Sequence, residues 1–393
     1  MMRVFFELLK REFALFWNNS VLRILFIGAP IMYGVLLGYV YNKGKVTDLP
    51  IVVVDKDQSK MSKKALQMME DNEVLTISAL LPNEDNLTRT ALEKEAVCIV
   101  IIPEGFEKGV LTKKYPEITT IVNTANVLTA NYASTALQVC LGTLKVGVQL
   151  ETLRKQGVPE HLLMSQYEPF KTTFIKKNNR STNYMYFLWP GILATVLQQV
   201  LMLGLALSFA SEFENGTFKF LVSKASSTFK LIMVKVIPYL IMSFGIWLIY
   251  WLFTWWFKIP FYENLGTLTL AAGLFVLSVC FIGILVSLLI PSQLKATEVL
   301  MVIATPSFIL SGFTWPLSQM PEWIQYIASI IPLTHFLPIF RVLIIENGPT
   351  DLIYPYVQNL LIITAVGFAL SYVALAYKKR KLQKETTVVK KKK

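Results

Sequence analysis

The chain has few of the residues on which enzyme chemistry depends. Its 393 residues include two histidines and three cysteines, and only 16% of them are charged. Two histidines exclude a histidine-rich zinc site, and no His-Glu-x-x-His or Cys-x-x-Cys pair occurs. No base stands near a serine or cysteine in a pattern typical of a nucleophilic triad. We therefore predict that the chain is not an enzyme and has no catalytic residues and no metal site.

A nucleotide-binding loop is also missing from the sequence. No Gly-x-x-x-x-Gly-Lys-[Ser/Thr] run occurs, so the chain has no P-loop with which to hold nucleotide phosphates. Any ATP must be hydrolysed by another polypeptide, and no cofactor is expected in this chain.

Charged residues in the middle of apolar runs are nearly absent as well. Such residues mark ion or proton paths, because each costs about 2.5–3.5 kcal/mol at the centre of a membrane helix. Arg23, Lys235 and Glu298 are expected near the ends of membrane spans, where their side chains reach the interface. A proton-driven carrier is disfavoured, and the energy source is expected outside this chain.

Apolar sequence makes up most of what remains. Hydrophobic residues account for 54% of the chain and the mean hydropathy is +0.49, too apolar for a soluble protein of this length. Six runs are long enough to cross a hydrocarbon core of about 30 Å as helices. They are Val21–Tyr41, Tyr184–Ala210, Phe229–Phe257, Leu265–Ile290, Ala296–Phe313 and Tyr354–Tyr377. The fifth is short and holds Pro306, so we expect a broken or tilted helix there.

The positive charges lie beside the spans. Residues 43–180 hold 18 basic and 16 acidic residues, so most of the net charge of +12 lies elsewhere. Nine basic residues follow the last span, between Lys378 and Lys393. Because basic residues flank spans on the cytoplasmic side, both termini are predicted to be cytoplasmic. An even number of spans agrees with this, since it places both termini on the same side. The excess charge then belongs to the membrane flanks, including a basic cytoplasmic tail at 378–393, and does not indicate nucleic-acid binding.

Two segments outside the spans have patterns of their own. Residues 1–20 predict an amphipathic helix on the inner membrane surface, which either anchors the chain or contacts a cytoplasmic partner. Residues 42–183 alternate strands and helices, beginning with a buried strand at Ile51–Asp55 and a helix capped by Ser59. The predicted fold class is therefore an α-helical polytopic membrane protein with six transmembrane helices and an inserted α/β extracytoplasmic domain. Whether Cys98 and Cys140 of that domain are bonded stays open, since spacing cannot show proximity.

A distinctive short run lies between the second and third spans. Residues 211–219 are Ser-Glu-Phe-Glu-Asn-Gly-Thr-Phe-Lys. A short helix with acidic residues and a glycine bend forms a protrusion that can fit a cleft on a soluble partner. The alternative is a solvated connector that only sets the topology, and the residue types favour neither.

With three other runs, this loop resembles the permeases of type-2 ATP-binding-cassette exporters. Glu212–Thr217 is similar to that family's Glu-x-Glu-x-Gly-Thr loop. Leu49–Ser59 is similar to its first outer strand, Val-Val-Asp-x-Asp-x-Ser, and Val100–Phe106 to its Ile-Pro-x-Gly-Phe segment. Ser311–Phe336 resembles its re-entrant outer segment. The resemblance covers essentially the whole chain in the right order.

The resemblance implies a permease subunit that works with separate ATP-binding-cassette ATPase subunits, which bind the ATP and Mg. A coupling loop at 211–228 would contact these subunits, with Gly216 supplying the bend and Glu214 a charged contact. The ATPase-coupling residues would be Glu212, Glu214, Gly216, Thr217 and Phe218. The ATPase subunits would power the export of a hydrophobic or amphipathic substrate, either drug-like or lipid-like. Membrane spans with broad apolar surfaces and without buried charge suit such a substrate.

The resemblance also implies that residues 314–353 dip into the outer leaflet without crossing it. The exit-path and re-entrant residues would be Trp315, Pro316, Trp323, Pro332 and His335. The two tryptophans either anchor the segment at the interface or line the exit path. His335 is either a hydrogen-bonded interface histidine or a ligand.

Partners and location follow from the same resemblance. We expect a second permease, identical or different, contact with membrane lipid, and a place in the bacterial cytoplasmic (inner) membrane as a multi-pass protein. Docking of a periplasmic adaptor onto the outer domain stays open. The competing hypothesis is a non-pumping membrane scaffold or surface receptor whose outer domain binds a partner, and co-purification with an ATPase would distinguish the two.

Overall fold

The computed structural model describes residues 2–168, 170, 172–224, 227–259 and 264–391, with the side chains of residue 2 and of residues 385–391 left aside. Residues 225 and 226 of the predicted coupling loop and residues 392 and 393 of the predicted tail lie outside the described residues. The chain divides into two compact units. The helical unit comprises residues 1–44 and 176–393, and the sheet unit comprises residues 45–175.

Helices dominate the described chain. In order they are α1 Met2–Asn18, α2 Ser20–Arg23, α3 Ala29–Val40, α4 Lys60–Glu70, α5 Leu87–Glu93, α6 Phe106–Leu111, α7 Val127–Lys155, α8 Leu163–Tyr167, α9 Tyr184–Glu214, α10 Phe218–Lys224, α11 Thr228–Trp256, α12 Leu265–Leu289, α13 Gln293–Ala304, α14 Ser307–Leu310, α15 Glu322–Ser329, α16 Pro332–Phe340 and α17 Tyr354–Lys391. The strands are β1 Leu49–Asp55, β2 Leu75–Leu81, β3 Cys98–Ile102 and β4 Thr119–Val122. Single π-helical turns lie at Ile24–Gly28 and Arg341–Ile345.

Six helical segments are long and apolar enough to cross a membrane, which confirms the predicted number of candidate spans. They are Ser20–Val40, Tyr184–Glu214, Thr228–Trp256, Leu265–Leu289, Gln293–Leu310 and Thr350–Lys384. The predicted break in the fifth span is present, because α13 ends at Ala304, α14 begins at Ser307, and Pro306 lies between them. A further pair, Glu322–Ser329 and Pro332–Ile345, is bent by 85°, which fits either a broken span or a re-entrant loop.

The core of the helical unit is built around α9. This helix packs against α12, α13 and α3, and α12 packs in turn against α17. Trp189 is buried in α9, and its indole nitrogen donates a hydrogen bond to the carbonyl of Gly34 in α3, 3.0 Å away. A Cβ at Gly34 would lie 2.5 Å from the ring of Phe253, so the missing side chain allows α3 to approach α11 closely.

The sheet unit contains a four-stranded sheet in the order β2-β1-β3-β4. Strand β1 pairs in parallel with β2 on one side and with β3 on the other, where Ile51 of β1 lies opposite Cys98 of β3. Strand β4 runs antiparallel to β3. The continuous apolar run of β1 is explained by its central position, since a strand covered on both faces has no solvent side. Apolar residues of α4 and α7 complete this core, namely Ala65, Met69, Ala133, Leu137, Cys140 and Leu144. The predicted strand at Ile51–Asp55 and the predicted helix capped by Ser59 are present as β1 and α4.

The Asp-x-Asp-x-Ser run at the end of β1 holds the starts of two helices. The buried Asp55 carboxylate accepts hydrogen bonds from the Ser62 hydroxyl at 2.7 Å and from two backbone N–H groups of the following turn. Ser59 caps α4 by accepting a hydrogen bond from the N–H of Ser62. Asp57 accepts one from the N–H of Glu107, the second residue of α6, at 3.0 Å. In this structure the run is therefore a capping device.

Cys98 and Cys140 are separate, buried thiols. The Cys140 thiol donates to the carbonyl of Met68 at 3.3 Å, and burial raises its pKa. Burial also raises the pKa of the Cys98 thiol to about 11.

We expect these two thiols to react slowly with maleimide at neutral pH, because the thiolate is the nucleophile and burial lowers both its population and its access. Intact mass after labelling of the folded protein should show little modification, and labelling in denaturant should modify all three cysteines. A Lys114→Cys variant, with its thiol at an exposed position, is the matched control and should be modified at once. Absence of labelling at two cysteines in non-reducing denaturant would show instead that they are bonded.

Candidate functional site

The predicted coupling loop follows directly from the end of α9. The helix ends at Glu214, residues 215–217 form a turn, and α10 begins at Phe218. Gly216 lies in this turn with φ +68°, a left-handed conformation that glycine adopts without the steric cost of a Cβ. The predicted bend is therefore at Gly216.

A group of four charged side chains, two of them buried and two partly buried, lies beside this turn. We call Arg11, Glu12, Glu212 and Lys235 the ion cluster. The Arg11 guanidinium donates to both carboxylate oxygens of Glu212, at 2.7 and 3.0 Å. The Lys235 ammonium donates to Glu212 at 2.8 Å and to Glu12 at 2.9 Å. The Thr217 hydroxyl donates to the second Glu212 oxygen, so Glu212 is fully engaged within the protein.

The ion cluster corrects two expectations from the sequence. The sequence predicted that the Lys235 side chain extends to the membrane interface. Instead, Lys235 is the eighth residue of α11 and is only 2% exposed. Arg11, on the helix predicted to lie on the membrane surface, faces Glu212 of α9. The sequence did contain a signal for these two contacts. Glu212 lies at the end of an apolar run, and a buried carboxylate requires a partner of opposite charge.

Burial also changes the interpretation of Glu212. Its side chain is 1% exposed, and its acceptor oxygens are occupied by Arg11, Lys235 and Thr217. A carboxylate in this position holds α1, α9 and α11 together and is not displayed to a soluble partner.

Glu214 lies on the outer side of the same helix end and contacts α13. Its carboxylate accepts a hydrogen bond from the backbone N–H of Gln293 at 2.7 Å and from the Gln293 side-chain amide at 2.5 Å. Gln293 is the first residue of α13, so the carboxylate satisfies an otherwise unpaired N–H at a helix start, where negative charge is favourable. Glu214 thus links the loop to the fifth candidate span.

An aromatic contact ties the loop to the last helix. Phe213 and Phe218 have ring centroids 4.7 Å apart, and the Lys378 ammonium of α17 lies 4.8 Å from the Phe213 centroid. Phe218 is buried, so this predicted coupling residue stabilises the loop from inside.

The exposed face of α10 consists of residues that the sequence analysis did not select. Phe218 and Leu221 point inward, which leaves Lys219, Phe220 and Lys224 outside. Phe220 is 50% exposed, and the Lys224 ammonium lies 5.7 Å from its ring. Helical spacing contained this signal, because residues between two buried positions three apart face the other side. The arrangement is a fixed turn that presents an aromatic ring flanked by positive charge.

The residues predicted for the re-entrant segment occupy different environments. Trp315 and Trp323 are exposed, at 58% and 64%. His335 is buried in α16 with Nε2 2.8 Å from the carbonyl oxygen of Ser329. Pro316 precedes a short 3₁₀ turn, and Pro332 begins α16. Exposed indoles and a hydrogen-bonded histidine fit the structural alternatives raised by the sequence.

Loss of the Glu212 carboxylate should destabilise the protein strongly. We expect Glu212→Ala to lower the free energy of unfolding by about 3–5 kcal/mol, because it leaves Arg11 and Lys235 with the single carboxylate of Glu12 between them. Denaturant unfolding in detergent micelles, followed by tryptophan fluorescence, measures this change. Glu7→Ala removes an exposed acid paired with Arg3 and should cost under about 1 kcal/mol.

Removing both charges tests the cause. The double variant Glu212→Leu with Lys235→Met should recover part of the loss, since apolar pairs often replace buried ion pairs at little cost. An unfolding curve of Glu212→Ala that superimposes on that of Glu7→Ala would contradict the structural role of the ion cluster.

Comparison with known proteins agrees with this architecture. The family model for ABC-2 family transporter proteins matches residues 20–376. The Escherichia coli K12 protein described as probable multidrug ABC transporter permease YbhR is 24% identical over 346 residues, covering 87% of this chain and 90% of that protein. Probable multidrug ABC transporter permease YbhS of the same strain is 26% identical over 198 residues, about half of each chain (50% and 51%). Inner membrane transport permease YhhJ, also from that strain, is 22% identical over 349 residues, or 86% of this chain and 88% of that protein. Since the family model spans most of the chain, this multi-pass membrane protein belongs to the ABC-2 transporter family and is a permease of the type-2 class.

Proposed function

We propose that this permease is the membrane subunit of an ATP-driven exporter, in which a separate ATPase acts on residues 211–228 and cargo moves outward. The single observation that carries the proposal is the attachment of one short loop to four helices. Arg11, Lys235, Gln293 and Lys378 reach it from α1, α11, α13 and α17. A force on such a loop displaces several candidate spans together, which a solvated connector would not do.

The surface offered to the ATPase is the outer side of α10. Aromatic and basic residues are frequent anchors at protein interfaces, and Phe220 with Lys219 and Lys224 has this composition. The buried contacts of Phe218 and Leu221 keep α10 from turning when Phe220 is pushed. We therefore assign the contact to Phe220 and its basic neighbours, with the Glu212 and Glu214 carboxylates acting behind it.

A second permease is expected against α13. Lys295, Glu298 and Val302 are exposed on this helix, and no ion pair within the described chain includes either charged residue. A carboxylate on a span is costly against lipid, so this face suits a protein partner or a water-filled path. Either is supplied when two permeases meet here.

The cargo is proposed to be hydrophobic or amphipathic. An apolar recess is lined by aromatic residues of α9, α11 and α12, including Trp189, Trp247, Tyr250 and Phe275. The polar atoms of three of these side chains are occupied, with Trp247 donating to Thr269 and Tyr250 to the carbonyl of Leu193. A recess that offers rings and no free hydrogen-bonding group favours an apolar ligand.

Orientation completes the proposal. Both termini and α10 would be cytoplasmic, the sheet unit would form the extracytoplasmic α/β domain, and the membrane would be the bacterial inner membrane. The charge distribution supports this arrangement, because nine basic residues follow position 377. An adaptor bound to the outer domain is compatible with it, and ATP and Mg would be held by the ATPase chains.

Phe220→Ala should weaken association with the ATPase. We expect loss of about 2 kcal/mol of binding energy, or roughly thirtyfold in affinity, because an aromatic anchor is removed from the contact. Titration of the purified permease in nanodiscs with its candidate ATPase measures the affinity. Tyr326→Ala, a change at an exposed aromatic residue of α15, is the control and should bind normally. A scaffold or receptor function replaces the exporter if the chain purifies without any ATPase and if, in the titration, Phe220→Ala and Tyr326→Ala both behave as the unchanged protein does.

Glu214→Ala should uncouple ATP hydrolysis from cargo while the complex still assembles. The link from the loop to α13 is lost, so we expect cargo stimulation of ATP hydrolysis to fall about fivefold or more, with basal hydrolysis and ATPase affinity unchanged. Rates with and without a hydrophobic dye, measured on the assembled complex, test this. Glu322→Ala removes an exposed acid at the start of α15 and is the matched control. Loss of ATPase binding in Glu214→Ala would restore the sequence-based expectation that Glu214 is itself a contact.

A further inference from the structure

A second cavity, of about 420 Å³, lies far along the sequence from the coupling loop. Four parts of the chain form it: α9, α16, the start of α17, and the turn that comes directly after α14. Its wall combines aromatic and aliphatic side chains with a single cation; the residues that matter here are Phe187, Phe313, Thr314, Leu337, Arg341 and Tyr356.

Arg341 is the cation of this cavity. It begins the π-helical turn Arg341–Ile345, and such turns are frequent at functional sites. One guanidinium nitrogen donates to the carbonyl of Phe313 at 3.3 Å, and the group lies 5.1 Å from the centroid of the Phe313 ring. A guanidinium has five N–H donors, so most of them remain for another acceptor.

The charge of Arg341 is uncompensated within the described chain. No carboxylate of the described residues forms an ion pair with it, whereas Arg11 has two carboxylates in direct contact. Arg341 also belongs to the bent helical pair that is apolar enough to enter a membrane. A cation in such a segment is costly unless an anion accompanies it.

The groups that hold Arg341 are themselves rigid. The Phe313 ring stacks on Phe187 with centroids 5.0 Å apart and an angle of 5° between the planes. A Cβ at Gly191 would lie 2.5 Å from the Phe313 ring, so α9 passes directly beside it. Gly312, with φ +77°, makes the turn that brings the Phe313 carbonyl to the guanidinium. A cation fixed in this way loses little freedom when it binds an anion.

We propose that this cavity binds an anionic amphiphile, with its phosphate or carboxylate on the Arg341 guanidinium and its apolar chain against Phe187 and Leu337. The planar fork of an arginine matches both anions in a bidentate way. An anionic phospholipid of the bilayer and an anionic amphipathic cargo share this chemistry. The site does not rest on the exporter proposal, because binding requires neither an ATPase nor transport.

Binding is measured on the purified full chain in detergent micelles with radiolabelled dioleoyl phosphatidylglycerol in a scintillation proximity assay. We expect saturable binding that an excess of dioleoylglycerol, which has the same chains and no phosphate, fails to displace. Glycerol phosphate, which has the head alone, should displace it only at far higher concentration. Dodecyl phosphate distinguishes the sources: displacement at low concentration indicates a site open to cargo, and displacement only at high concentration indicates a bilayer lipid.

Arg341→Gln should weaken phosphatidylglycerol binding about tenfold or more, because a charge-assisted hydrogen bond is lost. Arg341→Lys should fall between the two, since it keeps the charge and loses the fork. Thr314→Trp changes an exposed residue of the cavity and keeps the arginine; it should reduce binding by blocking the space without affecting folding. Arg89→Gln, the same chemical change on the sheet unit, is the control.

The proposal is overturned if Arg341→Gln and Thr314→Trp both bind phosphatidylglycerol as the unchanged protein does. It is also overturned if dioleoylglycerol competes as well as phosphatidylglycerol, or if glycerol phosphate does. Thermal unfolding of each variant in the same detergent shows whether a loss of binding reflects a loss of fold, and Thr314→Trp decides the matter if Arg341→Gln unfolds.

Discussion

A charge removed from water must meet a charge of opposite sign, and this constraint organises the helical unit at the end of α9. Glu212 receives Arg11 from a helix 201 positions earlier and Lys235 from one 23 positions later. The resulting contacts fix three helices at one point with donors and acceptors matched. Buried ion pairs often add little net stability, yet breaking one is costly. The ion cluster therefore determines how α1, α9 and α11 are positioned relative to one another.

In the same loop, a buried polar centre and an exposed face are separated by a few residues. Glu212 and Phe218 face inward, Glu214 begins α13, and Phe220 faces outward. In the proposed coupling, a force applied to Phe220 would pass through packed side chains to the helices behind it. In packed interiors such displacements are transmitted because the side chains have no empty space to absorb them.

Two arginines of the helical unit have opposite electrostatic environments. Arg11 is neutralised by carboxylates of the protein, and its role is complete without any other molecule. Arg341 has an aromatic ring and a carbonyl as its neighbours, which orient the guanidinium but leave its charge unmatched within the described chain. The first arrangement needs no further molecule, and the second agrees with the proposed binding of an anion.

The sequence by itself determined the number of candidate spans, the break at Pro306, the first strand and the Ser59-capped helix of the sheet unit, and the bend at Gly216. These features depend on local composition, on periodicity and on the backbone freedom of single residues, all of which can be recognised along the chain. The tertiary structure alone decided that Glu212, Arg11 and Lys235 meet, that Glu214 caps α13, that Phe220 and not Phe218 is exposed, and that Arg341 lacks a counter-ion in the described chain. The reason is physical: pairing and burial depend on which distant segments pack together, and a one-dimensional pattern carries the need for a partner without its identity.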